Sequence, residues 1–174
     1  MENEMGTLYW LTGLSGAGKT TVGKLFYEEL KKQCPNSIFM DCDDMRQILS
    51  NFDYSEAGRM QAFEQNVGIC EWLTSQGINV VMCGVGMRDF FREKYRARIK
   101  NYQEIYLKVS IEELIRRDSK GLYQKALEGT MKNVMGINMD YEEPTNSDVV
   151  INNEGTTSVE DAVAILVKKY IQNM

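Results

Sequence analysis

A glycine-rich run near the start of the chain constrains its fold more than any other stretch. Residues 13–20 read Gly-Leu-Ser-Gly-Ala-Gly-Lys-Thr, after an apolar run at 7–11 and before apolar residues at helical spacing from Val22. Glycines let successive backbone N–H groups turn toward one point, and a helix that begins there adds the positive end of its dipole. The pattern therefore predicts a strand, a phosphate-binding loop and a helix.

The residues of this loop have predicted roles in binding a nucleoside triphosphate. Lys19 can reach the β- and γ-phosphates, and the Thr20 hydroxyl can ligate Mg²⁺. We therefore expect ATP as co-substrate and Mg²⁺ as cofactor. The residues expected to bind ATP in the loop are Gly13, Ser15, Gly16, Ala17, Gly18, Lys19, Thr20 and Thr21.

Further apolar runs alternate with segments of helical spacing along the rest of the chain. The runs lie at 37–40, 79–83, 104–109 and 148–152. Near-continuous apolar strands that alternate with helices predict a parallel sheet covered on both faces. A chain of 174 residues is too short for two ordinary domains. We therefore expect one α/β domain over 1–174, a three-layer P-loop NTPase fold with about five strands and helices on both faces.

The composition excludes several classes of chemistry and partner. The chain has no histidine, which excludes Ser-His-Asp triads and His-ligated zinc. Its four cysteines form no Cys-x-x-Cys pair, so neither a zinc cage nor a disulfide framework is indicated. A net charge of −5 argues against nucleic acid or a membrane surface as partner. With no long apolar run and a polar start, a cytoplasmic location is expected.

Two carboxylates follow the second predicted strand, where open α/β sheets bind their ligands. If strand alternation continues through Cys42, the side chains of Asp41 and Asp43 point the same way. One acid would hold Mg²⁺ with Thr20, and the other would orient an acceptor hydroxyl. We assign Asp41 to the metal and Asp43 to catalysis, because Asp43 lies further into the loop. The alternative is that both acids cap a short helix predicted at 45–49.

Two basic features complete the predicted site. Arg46 follows the acids by one turn and is a natural anion contact. Residues 118–144 are polar, interrupted by glycines and without a long apolar face, which is typical of a functional lid, predicted at about 117–145. At the start of this lid, Arg117 is expected to contact ATP and Lys120 the acceptor.

A phosphate-binding loop alone does not separate a kinase from other nucleotide-binding proteins. The guanine-reading string Asn-Lys-x-Asp of small GTPases does not occur. A second carboxylate site and a basic lid favour a kinase of small molecules. A nucleotide-binding module without turnover, in which Asp43 serves only the metal, stays open as an alternative.

At this point the motifs resemble those of the adenylyl-sulfate kinase family. The resemblance spans about residues 7–152. It is carried by the loop 13–21, by Asp-x-Asp-x-x-Arg at 41–46, by Arg-Asp-x-Lys-Gly-Leu-Tyr-x-Lys-Ala at 117–126, and by Gly-Ile at 136–137 with Tyr-Glu-x-Pro at 141–144. It implies transfer of the ATP γ-phosphate to the ribose 3′-hydroxyl of adenylyl sulfate with Mg²⁺. Members of the family are often homodimers, which leaves a homodimer open for this chain.

The resemblance also implies roles for individual residues. Asp43 corresponds to the catalytic acid, and Tyr54 to an aromatic that stacks on the substrate base. Arg46 and Arg59 correspond to contacts of the substrate phosphates. The implied acceptor-binding set is Asp43, Arg46, Tyr54, Arg59, Val85, Lys120, Lys132 and Ile137.

The departures from the family pattern fall almost entirely on the acceptor side. The family pattern Arg-x-x-Asn-x-Arg-Arg continues here from Arg59 with Ala62, Glu64 and Gln65. Its Phe-Thr-Gly-Ile becomes Val-Met-Gly-Ile at 134–137, and its Ser-Pro becomes Val-Gly at 85–86. Anion contacts are worth about 1.5–3 kcal/mol each, and base stacking about 1–3 kcal/mol. Two acceptors therefore stay open: adenylyl sulfate, and the smaller cytidine diphosphoramidate of capsule phosphoramidate synthesis.

Overall fold

The structure, a computed structural model, describes residues 5–118, 120–155 and 157–172, so Ser119 of the predicted lid lies outside the described residues. The strands are β1 Leu8–Thr12, β2 Ser37–Asp41, β3 Asn79–Gly84, β4 Tyr102–Lys108 and β5 Val149–Asn152. The helices are α1 Lys19–Gln33, α2 Cys42–Ile48, α3 Glu56–Ser75, α4 Asp89–Arg98, α5 Ile111–Arg117, α6 Leu122–Leu127 and α7 Val159–Tyr170. In the described parts of the chain, no helix is long and apolar enough to cross a membrane.

The five strands form one parallel sheet in the order β2-β3-β1-β4-β5. The predicted parallel sheet is therefore confirmed, with β1 at its centre. Leu8 at the start of β1 lies opposite Val80 on one side and Tyr102 on the other. Because all strands run the same way, the glycine loop after β1 and the acids after β2 lie at the same edge of the sheet.

Both faces of the sheet are buried under helices, as the sequence predicts. Along β1, Tyr9 and Leu11 pack into one apolar cluster with α1 and α7, whereas Leu8 and Trp10 pack into a second cluster with α3 and α4. This division follows from the alternation of side chains along a strand. The sheet is therefore the middle of three layers, and its edge is free to bind ligands.

Side-chain caps define where several helices begin. The Ser158 hydroxyl and the Asp161 carboxylate form a complete capping box at the start of α7. At the start of α5, Ser110 accepts from the Glu113 backbone N–H at 3.3 Å. The Glu113 carboxylate, however, pairs with Arg116 and Arg117 instead of completing the box.

The structure corrects two details of the sequence interpretation. The helix predicted at 45–49 begins earlier, since β2 ends at Asp41 and α2 begins at Cys42. Strand alternation therefore does not extend to Asp43, and that argument for its direction was wrong. The predicted lid also contains a helix, α6, and it buries apolar side chains. These are Tyr123, Ala126, Val134 and Met135.

Two helical glycines provide a matched test of the packing between α1 and the sheet. A Cβ on Gly23 would fall inside the contact distance of the buried Cys83 Sγ, whereas a Cβ on Gly68 of α3 would meet nothing within 4 Å. We expect Gly23→Ala to lower the free energy of unfolding by about 1–3 kcal/mol, because the core must shift. Gly68→Ala should raise it by about 0.5–1 kcal/mol through helix propensity. Urea unfolding measures both, and equal effects of the two changes would contradict this packing.

Candidate active site

The glycine loop places a buried ammonium group at the edge of the sheet. Lys19 is the first residue of α1, and its Nζ donates to the backbone carbonyl of Leu14 at 2.8 Å. Burial lowers the pKa of Lys19, while the nearby Asp41 and Asp43 carboxylates act in the opposite direction. This cation lies at the start of a helix, where backbone N–H groups also favour an anion, so the loop is suited to bind phosphate.

A residue from the far side of the sheet supports the shape of the loop. Gly18 adopts a φ of 91°, which disfavours any residue with a side chain. Asn153, just after β5, donates from Nδ2 to the Ala17 carbonyl at 2.8 Å. A Cβ on Gly18 would lie only 2.7 Å from the same Nδ2. The sequence analysis missed Asn153, because a single Asn after a strand carries no pattern.

Thr20 and Asp41 are brought together as a pair of oxygen ligands. The Thr20 hydroxyl donates to Asp41 Oδ2 at 2.6 Å, and Asp41 Oδ1 accepts from the Asp43 backbone N–H at 2.9 Å. Asp41 therefore caps α2, as the alternative predicts, and it also contacts the glycine loop; its role in metal binding stays a prediction. A hydroxyl beside a carboxylate fits Mg²⁺ bound to a phosphate loop, with other ligands from phosphate and water. No cluster of three or more metal-ligating side chains occurs among the described residues.

Asp43 lies between the phosphate loop and the acceptor side of the site. It is exposed in the first turn of α2. Burial lowers the pKa of Lys19 and of Arg59 on α3, and the Asp43 charge acts on both in the opposite direction. Between the two acids, burial of the sulfur and both carboxylates raise the pKa of Cys42 to about 12. The thiol is therefore neutral, which leaves the carboxylates as proton acceptors.

Three arginines and one tyrosine form the opposite side of the site. Tyr54 is 46% exposed, and its ring centre lies 4.5 Å from the Arg46 guanidinium carbon and 5.7 Å from that of Arg59. Burial, together with the charges of Arg46 and Arg88, lowers the pKa of Arg59. Guanidinium groups this close to one another favour a bound anion. Arg88, which precedes α4, was not predicted from the sequence.

Arg46 and Arg59 also hold the backbone around the site. Arg46 is buried and donates to the carbonyls of Asn51 and Asp53 at 3.2 and 2.8 Å. Arg59 donates to the Tyr54 carbonyl at 3.0 Å and to the Asn133 carbonyl at 2.7 Å. The second bond joins α3 to the predicted lid. Arg46 and Arg59 therefore fix the shape of the cleft and also give it positive charge.

The start of the predicted lid contacts the glycine loop directly. The Tyr123 hydroxyl donates to the Ser15 carbonyl at 2.7 Å. Arg117 donates to the carbonyl of Asn153 at 2.8 Å, and it lines one pocket with Lys120, Ser15 and Gly16. The structure thus places both predicted lid cations beside the loop.

The remaining predicted residues have less defined positions. Thr21 is exposed on the first turn of α1. Val85 is half-buried, and its carbonyl accepts from the Thr12 hydroxyl at 3.4 Å. Ile137 packs against the apolar cluster beneath the lid, whereas Lys132 is exposed. Their roles stay predictions.

The bond between Tyr123 and Ser15 can be tested by removing one oxygen. We expect Tyr123→Phe to lower the free energy of unfolding by about 1 kcal/mol, because it removes a buried hydrogen bond. Faster amide hydrogen exchange over 120–135 should accompany the change. Tyr27→Phe is the control, since its hydroxyl pairs only with the exposed Lys31, and it should stay within about 0.5 kcal/mol. Unchanged exchange in Tyr123→Phe would contradict the role of this bond in attaching the lid.

A parallel sheet in this order, with Lys19 and Thr20 after its central strand and Asp41 after its edge strand, defines a P-loop phosphotransferase. The comparison with protein families makes the class specific. Residues 5–152 match the model of the adenylylsulphate kinase family, and the chain belongs to that family. It is therefore a kinase, and the predicted resemblance is confirmed.

The relatives divide between two acceptors. The chain is 38% identical over 162 residues to the cytidine diphosphoramidate kinase of Campylobacter jejuni, covering 93% of this chain and 95% of that protein. It is 35% identical to a probable adenylyl-sulfate kinase of Aeropyrum pernix, covering 88% and 87%. A Mycobacterium tuberculosis APS kinase solved with AMPPNP and APS superposes with a TM-score of 0.83 at 25% identity, covering 94% and 96%. These matches confirm the predicted P-loop fold and the ATP-dependent kinase class.

Proposed function

We propose that this kinase transfers the ATP γ-phosphate to the ribose 3′-hydroxyl of cytidine diphosphoramidate. The observation that carries the proposal is the acceptor side of the cleft, where residues that the family uses for a purine and a sulfate are replaced together. Val134 is buried and small where the family has a phenyl ring, which leaves Tyr54 as the retained aromatic of the family's base-stacking pair. A pyrimidine needs less stacking surface than adenine. The relative that is 38% identical carries the corresponding name.

The chain's own residues supply binding, charge and proton transfer for this reaction. The glycine loop and Lys19 hold the phosphates of ATP and stabilise the charge that develops on the transferred group. Asp43 orients the acceptor hydroxyl and takes its proton. Arg46, Arg59 and Arg88 bind the anionic part of the acceptor. Thr20 and Asp41 would hold Mg²⁺, which neutralises phosphate charge when bound.

The location and assembly that we propose follow from this chemistry. ATP and Mg²⁺ are both supplied in the cytoplasm, and we place the reaction there. A homodimer is the assembly that the family resemblance favours, and size-exclusion chromatography with light scattering tests it.

Adenylyl sulfate is the second candidate acceptor. Arg46, Arg59 and Tyr54 are retained from the family pattern, and they face one another across the acceptor side of the cleft. A homologous structure at 25% identity is described in complex with APS. Against this candidate stand Ala62 and Gln65, which remove an amide and a positive charge from α3.

A coupled assay of ADP release separates the candidates. The protein is incubated with ATP and Mg²⁺ and with cytidine diphosphoramidate, adenylyl sulfate or no acceptor. We expect the highest kcat/KM with cytidine diphosphoramidate, and the product should carry a new 3′-phosphate by ³¹P NMR. A preference for adenylyl sulfate would support the second candidate, and no release above the acceptor-free rate would overturn both.

A further inference from the structure

Three buried polar atoms on β1 and α3 lack hydrogen-bond partners among the described residues. They are Trp10 Nε1, Gln65 Oε1 and Asn66 Oδ1. Trp10 is 2% exposed and Asn66 is 4% exposed, so water does not reach them freely. A buried polar group without a partner costs about 1–3 kcal/mol, and most such groups in proteins are paired with protein, water or ligand. The hydrogen-bonding capacity of these three atoms is therefore available to water or to a ligand.

Asn66 and Trp10 both lie near the side chain of Cys42, the residue between the two acids of the site. Asn66 donates from Nδ2 to Cys42 Sγ at 3.6 Å. Cys42 is the residue between Asp41 and Asp43, and its sulfur lies against Gly84 at the end of β3. Trp10 Nε1 lies 3.6 Å from the point that a Cβ on Gly84 would occupy. The amide of Asn66 and the indole N–H of Trp10 thus both lie near the Cys42 side chain, and each carries an atom without a partner among the described residues.

One face of α3 connects this place to the arginine cluster. Arg59, Ala62 and Asn66 are spaced i, i+3 and i+7, so they share a face of the helix. Arg59 contacts the acceptor cleft, and Ala62 is buried and small where the family has Asn. This face leads from the proposed anion site to the unpartnered oxygen of Asn66. Gln65, where the family has Arg, adds an unpartnered amide oxygen on the same turn.

We propose that Asn66 and Trp10 form a subsite for the terminal group of the acceptor and select one that carries N–H donors, the phosphoramidate class. This inference rests on the proposed function and specifies which part of the acceptor is recognised. The Asn66 oxygen requires a donor, and the Trp10 N–H requires an acceptor. A tetrahedral P–NH₂ group with its P=O supplies both, whereas a sulfate presents only acceptors and leaves Asn66 without a partner. A site that is built to hydrogen-bond an N–H discriminates against an analogue that lacks it.

The experiment compares two acceptors that differ only in the terminal group. Cytidine diphosphoramidate and cytidine diphosphate share base, ribose and first phosphate, so their kcat/KM ratio reports recognition of the terminal nitrogen. We expect Asn66→Leu to lower kcat/KM for the amidate about tenfold and for cytidine diphosphate no more than about twofold. Gln61→Leu, on the exposed side of the same helix, should leave the ratio unchanged.

Each outcome decides for or against the subsite. An equal loss with both acceptors, or no loss with either, would overturn it and assign the unpartnered atoms to buried water or to packing alone. If Asn66→Leu does not fold, Asn66→Ala, which only shortens the side chain, replaces it. The same ratio of kcat/KM for the amidate to kcat/KM for cytidine diphosphate is then measured. Failure of the proposed function itself would look different, since the wild-type protein would then prefer adenylyl sulfate or release no ADP above the acceptor-free rate.

Discussion

Replacing Asp43 by alanine is expected to lower turnover by a factor of about 10² or more while the protein still binds ATP. Asp43 is the exposed acid whose charge reaches both Lys19 and Arg59, and its replacement removes the proposed acceptor of the hydroxyl proton. The proposed ATP site is the glycine loop at the start of α1, which this change does not touch. The rate is measured by coupled ADP release, and ATP affinity by titration calorimetry.

Asp44→Ala is the matched control for this experiment. Asp44 is also exposed in the first turn of α2, next to Asp43, so it carries the same charge on the same helix. Its replacement should change turnover by less than about threefold, as expected of a surface position. If Asp43→Ala and Asp44→Ala behave alike, Asp43 is not the catalytic acid.

Lys19→Ala is expected to lower turnover by about 10²–10³, because a positive charge no longer stabilises the transferred phosphoryl group. The effect should fall on kcat rather than on stability. Burial desolvates this ammonium and lowers its pKa, so burying the charge does not stabilise the fold. Thermal unfolding of the variant should therefore remain cooperative.

Lys24→Ala separates a local effect from a general change in charge. Lys24 lies on the exposed side of α1, one turn and a half from Lys19. Its loss should leave kcat within about twofold. Normal turnover in Lys19→Ala would contradict the assignment of the glycine loop as the ATP site.

The elements that the sequence predicted well are those with a repeated pattern. Residues 56–75 carry apolar side chains at helical spacing along their whole length, and they form α3. The five strands are short apolar runs between helices, and their parallel order follows from that alternation. The loop at 13–20 was predicted because its spacing is nearly unique to phosphate binding.

The parts that the sequence did not predict depend on single residues brought together by folding. Arg88, Asn153 and Tyr123 each act on the site from a different element, and none of them belongs to a periodic pattern. The start of α2 was placed too late because Cys42 and Asp43 carry no apolar pattern of their own. Their helical conformation depends on the cap that Asp41 provides. The apolar contacts of the lid come from scattered residues such as Val134, whose burial no spacing indicates.

The position of β1 in the middle of the sheet has a consequence for biosynthesis. During translation β1 is made before its two neighbouring strands, β3 and β4, whose Val80 and Tyr102 lie opposite Leu8. Asn153, which supports the glycine loop, is made later still. Until then β1 is apolar on both faces, and its backbone N–H and C=O groups have no neighbouring strand to pair with. A strand in this state is prone to aggregate with other chains. We therefore expect newly made chains to need chaperone protection until most of the domain has emerged, and expression at lower temperature should increase the recovered yield.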